Sequence, residues 1–425
     1  MLTIAIVAYV FGTVLLMVAA PDLAAGTAYG PVQLGAVHLL GLAFVSVAIA
    51  GALMQLVPVI LRTRVAPPWI AATSGIALIA GAWGLALGLW QGIPALTALG
   101  GSLAVLGGLV ISVGVLLSVA RAWRAGTLAP AGIGIAAATA WFIVVLALGG
   151  AMAGNRAHPF ITMDLLRLIE VHGVIALAGW IGGSIMALSL NLAPMFSLAH
   201  GYSRTPGYAA LIAWHGGTAL VVAGLLWQVT SLALAGVVVM ITGGALAVAF
   251  AVAVFRARRR RVEAPMTHLL VGLASALGAV LIVPAAWLGG GVTPRTLVLA
   301  LVLGLVGLAC GVTAGHLFKI VPMLVWTGRF ASLAGTPGAP KLSDLYPHRL
   351  AVTEQVLFTA GLAVLLAGIG AGSPPVAVAG AAGVAASAVM VLVAAIACLA
   401  HPLPDQAATA SHTPRQPPVT TWRNA

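Results

Sequence analysis

Long apolar stretches recur along almost the whole chain, separated by short polar segments. Twelve of them are long enough to cross about 30 Å of hydrocarbon as a helix, which takes roughly 20 residues. The alternation of polar and apolar residues that marks the strands of a membrane barrel is missing. The pattern therefore predicts an all-α membrane protein with helices near residues 2–20, 33–60, 68–90, 95–119, 130–153, 165–197, 207–228, 230–255, 267–288, 296–326, 350–371 and 375–399.

Three of the apolar stretches, the second, sixth and tenth, end alike. Their last residues are "QLVP" (Gln55–Pro58), "NLAP" (Asn191–Pro194) and "KIVP" (Lys319–Pro322). The prolines are 136 and 128 residues apart (194 − 58 and 322 − 194). We expect each proline to break its helix, and the polar side chain three residues earlier to bond the freed carbonyls.

This spacing divides the chain into repeated units. It predicts one membrane domain over 1–400, built from three four-helix pseudo-repeats at about 1–125, 126–262 and 263–400. The remaining segment, 401–425, is rich in Pro, Thr and Ala and is expected to be a disordered cytoplasmic tail.

Composition and charge fit a protein embedded in a lipid bilayer. Of 425 residues 62% are hydrophobic and 6% charged, whereas roughly a quarter of a soluble domain is charged. The distribution of the net charge of +12 indicates how the chain is oriented in the membrane. Most basic residues lie in the loops after even-numbered helices: Arg62, Arg64, Arg121, Arg124, Arg204, the run Arg256–Arg261, Arg329, Lys341 and Arg349. The positive-inside rule then places both termini in the cytoplasm of a bacterial-type inner membrane. We expect no nucleic-acid partner.

Histidines are the candidate functional residues within the helices. Polar side chains in lipid are costly and tend to be functional, and imidazole commonly ligates haem iron and copper. His38 lies 20 residues before Pro58 and His172 lies 22 before Pro194, so both belong at a similar depth in the outer third of the membrane. The alternative for each histidine is a hydrogen bond to a neighbouring helix or to lipid headgroups. We favour that alternative for His268.

Two acidic residues fall within the predicted helices. Glu170 follows Arg167 by three residues, a spacing that favours an ion pair on one helix face. Glu354 opens the eleventh helix near Arg349 and is interpreted as a satisfied helix-end charge. A role in proton transfer is the alternative for both.

Twelve helices in three groups of four, with an outer histidine on the second helix, resemble subunit I of the haem-copper oxidase superfamily. The "H…GA…LVP" pattern from His38 through Gly51 and Ala52 to Pro58 is most similar to the nitric oxide reductase branch and its cbb3-type relatives. The resemblance implies that His38 ligates a haem. It also implies that His172, which matches the family's sixth-helix histidine in depth, ligates copper.

The sequence departs from that family at the other ligand positions. The family's seventh helix carries two adjacent histidines, where "AWHGG" offers only His215, a further copper-ligand candidate. Its tenth helix carries two histidines in the outer half, where "AGHLFKIVP" offers only His316, six residues before Pro322. We expect the second axial ligand of the haem to come from His172 or His316. The departures imply a scaffold without the full oxygen-reducing centre.

Three functions are compatible with these features. The first is a haem-binding protein acting in electron transfer, nitric oxide handling or haem or copper delivery, and any enzyme activity would be that of a haem-dependent oxidoreductase. The second is a transporter or channel without a redox cofactor. Transporters are commonly built from twofold repeats, so the threefold pattern favours the first. The third is a respiratory assembly subunit, with the loop Thr327–Arg349 as a candidate docking surface for respiratory or assembly partners.

Overall fold

The prediction of a multi-pass, all-α membrane protein is confirmed. The computed structural model describes residues 1–63, 65–336 and 339–402, without the side chains of residues 264 and 265. Arg64 and nearly all of the predicted tail, from 403 onward, lie outside the described residues. Twelve described helices are long and apolar enough to cross a membrane: α1 (Leu2–Ala24), α2 (Pro31–Leu61), α3 (Pro68–Gln91), α4 (Pro94–Arg124), α5 (Pro130–Ala157), α6 (Leu165–Ser197), α7 (Thr205–Trp227), α8 (Thr230–Arg256), α9 (Ala264–Leu288), α10 (Pro294–Arg329), α11 (His348–Ala371) and α12 (Pro374–Ala400).

Local sequence signals set many of the helix ends. Proline occupies the first helical position of α2 to α5, α10 and α12, where its fixed φ suits the helix and its missing N–H is not needed. Asp164 precedes α6 and its carboxylate accepts a hydrogen bond from the backbone N–H of Leu166 at 3.0 Å. Gly92 and Gly372 end α3 and α11 in the left-handed conformation that glycine adopts without strain.

The helices α2, α6 and α10 form the centre of the bundle. In each of them 61% to 67% of the most apolar stretch is buried, against at most 50% in the other nine spans described. The three central helices contact one another through their middle segments. Around them α3 packs along α4, α7 along α8 and α11 along α12, and contacts of α4 with α5, α8 with α9 and α12 with α1 close the ring.

Each central helix contains a π-helical segment, which the sequence patterns did not predict. The three segments are Leu39–Ser46, Ile175–Gly182 and Leu303–Cys310. Each begins 19 residues before the proline of its helix (58 − 39, 194 − 175 and 322 − 303). Because π turns in helices are rare and occur frequently at functional sites, their recurrence at one position indicates that the centre of the bundle is a candidate site.

Side chains tie these π segments together. The buried indole Nε1 of Trp180 donates to the hydroxyl of Ser46 at 2.9 Å, which links α6 to α2. The Ser46 hydroxyl in turn donates to the carbonyl of Gly41 at 2.7 Å. The indole of Trp214 on α7 donates to the carbonyl of Ala178 at 2.9 Å. Such bonds satisfy the backbone and polar groups of the widened turns inside an apolar bundle.

The prediction that the repeated prolines break their helices is wrong. The helices run past Pro58, Pro194 and Pro322, and they end at Leu61, Ser197 and Arg329. A proline inside a helix leaves the carbonyl four residues earlier without its usual donor.

The carbonyl that Pro322 leaves free belongs to Phe318. Its donor is the hydroxyl of Tyr346, at 3.1 Å, from the connection that precedes α11. The polar side chain predicted to do this, Lys319, forms an ion pair with Glu263 instead. A helix in a packed bundle therefore tolerates the proline because another segment supplies the missing hydrogen bond.

Candidate functional site

His38 and His172 lie in the halves of α2 and α6 that precede the π segments. His38 is the residue directly before Leu39, and His172 is three residues before Ile175. Both side chains are half-buried, and they are close enough for the charge of one to act on the other. The structure thus places both histidines on the same side of the π segments of their helices.

The hydrogen bond of His38 fixes its tautomer. Its Nδ1 lies 2.8 Å from the carbonyl oxygen of Leu34, one turn earlier in α2. A carbonyl oxygen only accepts, so Nδ1 carries the proton and Nε2 of the neutral ring keeps its lone pair. Metal-ligating histidines typically donate their second ring N–H in this way.

His172 packs against the backbone of α5. A Cβ placed on Gly149 would lie 2.8 Å from Cε1 of His172, so the ring occupies the space that any larger residue would fill. Its Nδ1 is buried and has no hydrogen-bond partner. An unpartnered buried nitrogen is costly, and it marks this ring as one able to take a further ligand.

His215 lies at a different depth from His172. It packs from α7 against Gly183, where an added Cβ would lie 2.4 Å from its Cε1. Gly183 is 11 residues further along α6 than His172, which corresponds to roughly 16 Å of helix rise. Both ring nitrogens of His215 are buried without partners, but the structure does not place this residue beside His172.

His316 lies on the other side of the π segment of its helix. It follows Cys310 by six residues, is 9% exposed, and its Nδ1 lies 2.8 Å from the carbonyl oxygen of Val312. Its ring is 5.9 Å from that of Phe196 on α6. Its tautomer is therefore the same as that of His38, although its position after the π segment separates it in depth from the His38–His172 pair.

The hydrogen bond expected for His268 is confirmed, but its partner is the buried Glu354 of a neighbouring helix, so the interpretation of the two residues as interfacial, helix-end groups is wrong. Both side chains are fully buried, and Nε2 of His268 lies 2.7 Å from Oε2 of Glu354. The two residues come from α9 and α11, 86 positions apart in sequence. Sequence patterns gave no local sign of this pair. The only available signal was that each residue lies one to two turns past the start of its helix.

The predicted pairing of Glu170 with Arg167 is also wrong. The guanidinium of Arg167 lies 3.8 Å from the carboxylate of Asp164, the residue that caps α6. Glu170 faces Tyr29, in the connection before α2, and burial followed by the charge of Glu170 raises the pKa of that tyrosine. The carboxylate of Asp164 therefore serves both as the helix cap and as the partner of Arg167.

A haem iron needs fewer side-chain ligands than a metal ion that is held by side chains alone, and this difference matters for the histidines of the bundle. Among the described residues, no group of three or more His, Cys, Asp or Glu side chains is placed to hold a metal. A haem supplies four of its own nitrogen donors, so two axial imidazoles suffice. His38, with Nδ1 bound to a carbonyl, and His172, with an unpartnered nitrogen, each offer one imidazole donor of this kind.

Comparison with known proteins adds no family to these features. A scan against protein-family models finds no matching family, and a search of curated proteins finds no match.

Proposed function

We propose that this protein binds haem inside the membrane through His38, with His172 as the second axial ligand. The proposed scaffold is that of subunit I of the haem-copper oxidases, in which three four-helix pseudo-repeats surround a common centre. The central helices support this proposal, since α2, α6 and α10 each carry a π segment and a proline at one spacing. We also propose a cytoplasmic location for the basic face, meaning the bundle end with Arg256–Arg261, where α8 ends and α9 begins.

The observation that carries the proposal is the state of the two imidazoles. His38 keeps Nε2 available because Nδ1 donates to the Leu34 carbonyl. His172 lies before the π segment of another central helix, as His38 does, and has a buried nitrogen without a protein partner. Structural histidines in a membrane bundle are normally satisfied by a neighbouring group, and this nitrogen of His172 is not.

Electron transfer is the activity that this ligand set favours. Two axial imidazoles fill both open positions of a haem iron, so a substrate would have to displace a histidine. Nitric oxide handling requires such a displacement. Delivery of haem or copper requires a ligand that leaves, and copper is the second candidate for the same pair of imidazoles, with His215 and His316 as further donors at other depths.

A transporter or channel is the alternative function. The fully buried His268–Glu354 pair favours it, because buried acid–base pairs in membrane proteins mark ion or proton pathways. In that case the histidines of α2 and α6 would line a polar path and bind no cofactor.

The test is an optical spectrum of the protein purified from haem-replete cells, first oxidised and then reduced with dithionite. The proposal predicts a Soret band and the sharp reduced bands of a six-coordinate, low-spin haem. Absence of any haem band in a folded preparation would contradict the proposal and favour the transporter. A high-spin spectrum would contradict the second histidine ligand.

A further inference from the structure

A second polar site lies in the half of the bundle near the basic face and has no part in the proposed haem site. Its core is the hydrogen bond between Nε2 of His268 and Oε2 of Glu354, at 2.7 Å, with both side chains 0% exposed. The ring of Phe358 packs on His268 at 5.1 Å between ring centroids. On the other side a Cβ added to Gly315 would lie 2.5 Å from Cβ of His268. The pair is therefore held in place by packing.

Both members of the pair have a second polar atom without a partner. Nδ1 of His268 and Oε1 of Glu354 are buried and form no hydrogen bond. The buried hydroxyl of Tyr9 on α1 interacts electrostatically with Glu354. Two buried polar atoms without partners at one carboxyl–imidazole contact are energetically costly unless they bind water or protons.

Other titratable groups also face this site. They come from the helices packed against α9 and α11, namely Tyr9 on α1 and Cys310 and His316 on α10, and Ser387 on α12 lies beside Tyr9. Thr267 donates to Gln355 at 2.7 Å, which joins α9 to α11 next to the pair. Among these groups only the His268–Glu354 contact joins an acid directly to a base.

The site lies close to water at the basic face. His268 is four residues from the start of α9, about 6 Å of helix rise, and Glu354 is six residues from the start of α11, about 9 Å. A shallow cleft opens at this face, lined by residues that include Arg260, Glu263, Met266 and Lys319. The ion pair between Lys319 and Glu263 lies at the same end of the bundle as the first turn of α9. The cleft and the buried pair therefore lie at the same end of α9.

We propose that His268 and Glu354 form a proton-binding site that is loaded from the basic face. In the proton-poor state one proton is shared between Nε2 and Oε2, and the pair has a net charge of −1. In the proton-rich state a hydronium ion at the basic face gives up one proton, water is left behind, and the pair holds two protons with no net charge. The atoms that lack partners, Oε1 and Nδ1, are the ones free to accept the second proton. The proposal holds with or without a haem at His38.

Isotope-edited infrared spectroscopy tests this directly, because the chain contains only three glutamates, Glu170, Glu263 and Glu354. With ¹³C in the glutamate carboxyl groups, the wild-type spectrum minus the Glu354→Gln spectrum isolates the buried carboxyl. We expect that difference to change with pH and to shift after transfer to D₂O. The matched control is Glu170→Gln, which removes an exposed carboxyl from a helix and leaves the Glu354 signal in place.

A second variant keeps the proposal testable if Glu354→Gln does not fold. His268→Gln retains the carboxyl, and its signal should then change over a different pH range from that of the wild type, because the hydrogen bond to the imidazole is gone. An isolated Glu354 signal that stays constant with pH and in D₂O would overturn the proposal. So would a signal whose pH dependence is the same in His268→Gln. Neither result depends on a haem spectrum, so failure here leaves the proposed function untouched.

Discussion

The helices α2 and α6 differ from α10 in the position of their histidine, although all three contain a π segment and a proline at the same spacing. In α2 and α6 a histidine precedes the π segment, and both helices end in a left-handed residue that is not glycine, Arg62 and Leu198. In α10 the histidine follows the π segment, and Val302 and Ala300 take the earlier positions. The helix then runs on to Arg329 without a left-handed cap.

This difference separates two groups of polar side chains by depth within one bundle. The half of the bundle before the π segments holds His38 and His172, the proposed axial ligands. The half after them holds His316 and the buried His268–Glu354 contact, which suits a proton. The three central helices share the same backbone features. The positions of a few histidine and glutamate side chains therefore distinguish the two halves of the bundle.

The largest effect is expected from breaking the buried pair. Glu354→Ala leaves His268 buried without its partner, which should cost about 3 kcal/mol of the free energy of unfolding. Glu170→Ala, the matched change at an exposed carboxyl, should change it by less than about 0.5 kcal/mol. Unfolding in detergent mixtures, followed by circular dichroism, measures both. Equal costs would mean that the contact contributes nothing to the half of the bundle near the basic face.

The next prediction concerns the position of the His172 ring, which Gly149→Ala should change. The new methyl group would lie 2.8 Å from Cε1 of His172 and must displace the ring, at a cost of about 1–3 kcal/mol. Gly173→Ala is the control, since a Cβ there meets no heavy atom within 4 Å. Haem content per folded protein should fall in the first variant only. The same haem content in both would show that the position of this ring is not critical.

The link between the π segments of α2 and α6 should have a smaller effect. Trp180→Phe removes the donor to Ser46 and should cost about 1 kcal/mol, because one buried hydrogen bond is lost while most of the ring remains. Ser46→Ala removes the same bond from the other side. The double variant should therefore cost less than the two single changes added together. Strict additivity would indicate that the bond does not couple the two helices.

The last prediction concerns alkaline pH and the Tyr346 hydroxyl, which donates a hydrogen bond to α10. Burial, followed by the charges of Glu263 and Cys398, raises the pKa of Tyr346 from 10.0 to about 12. The folded state therefore holds this proton more tightly than the unfolded state, so the stabilisation is complete below pH 10 and is lost as pH rises through about 12.

Tyr346→Phe is the control for that pH dependence. It should be less stable by about 1 kcal/mol at neutral pH, because the Phe318 carbonyl loses its donor. It should also lack this part of the alkaline loss of stability. An identical alkaline profile in the two proteins would remove Tyr346 from the account of how α10 tolerates Pro322.

The number of helices and their approximate positions could be predicted from the sequence because each depends on a local property, the length of an apolar run. The predicted stretch 165–197 and the helix Leu165–Ser197 have the same bounds. The π segments could not be predicted, since one widened turn changes the hydrogen-bond pattern without changing the composition. The positions of His38 and His172 before their prolines indicated a shared depth, but the tautomer of His38 depends on the carbonyl of Leu34, which only the folded helix presents.

The contacts between distant segments were the features that sequence reasoning missed. Glu354 and His268 are 86 residues apart, and no periodicity within α9 or α11 indicates that they meet. In the same way Tyr346 comes from a different segment than the proline it compensates. Helix-end charges near a membrane surface are usually solvated, and tertiary packing overrides that expectation where α9, α10 and α11 converge.

The most direct test of the central claim is the reduced-minus-oxidised spectrum of three proteins: wild type, His38→Ala and His158→Ala. His158 is an exposed histidine just beyond α5, so its removal controls for nonspecific binding. We expect a low-spin haem spectrum in wild type and His158→Ala, and its loss in folded His38→Ala. An unchanged spectrum in His38→Ala would contradict the assignment of His38 as the haem ligand.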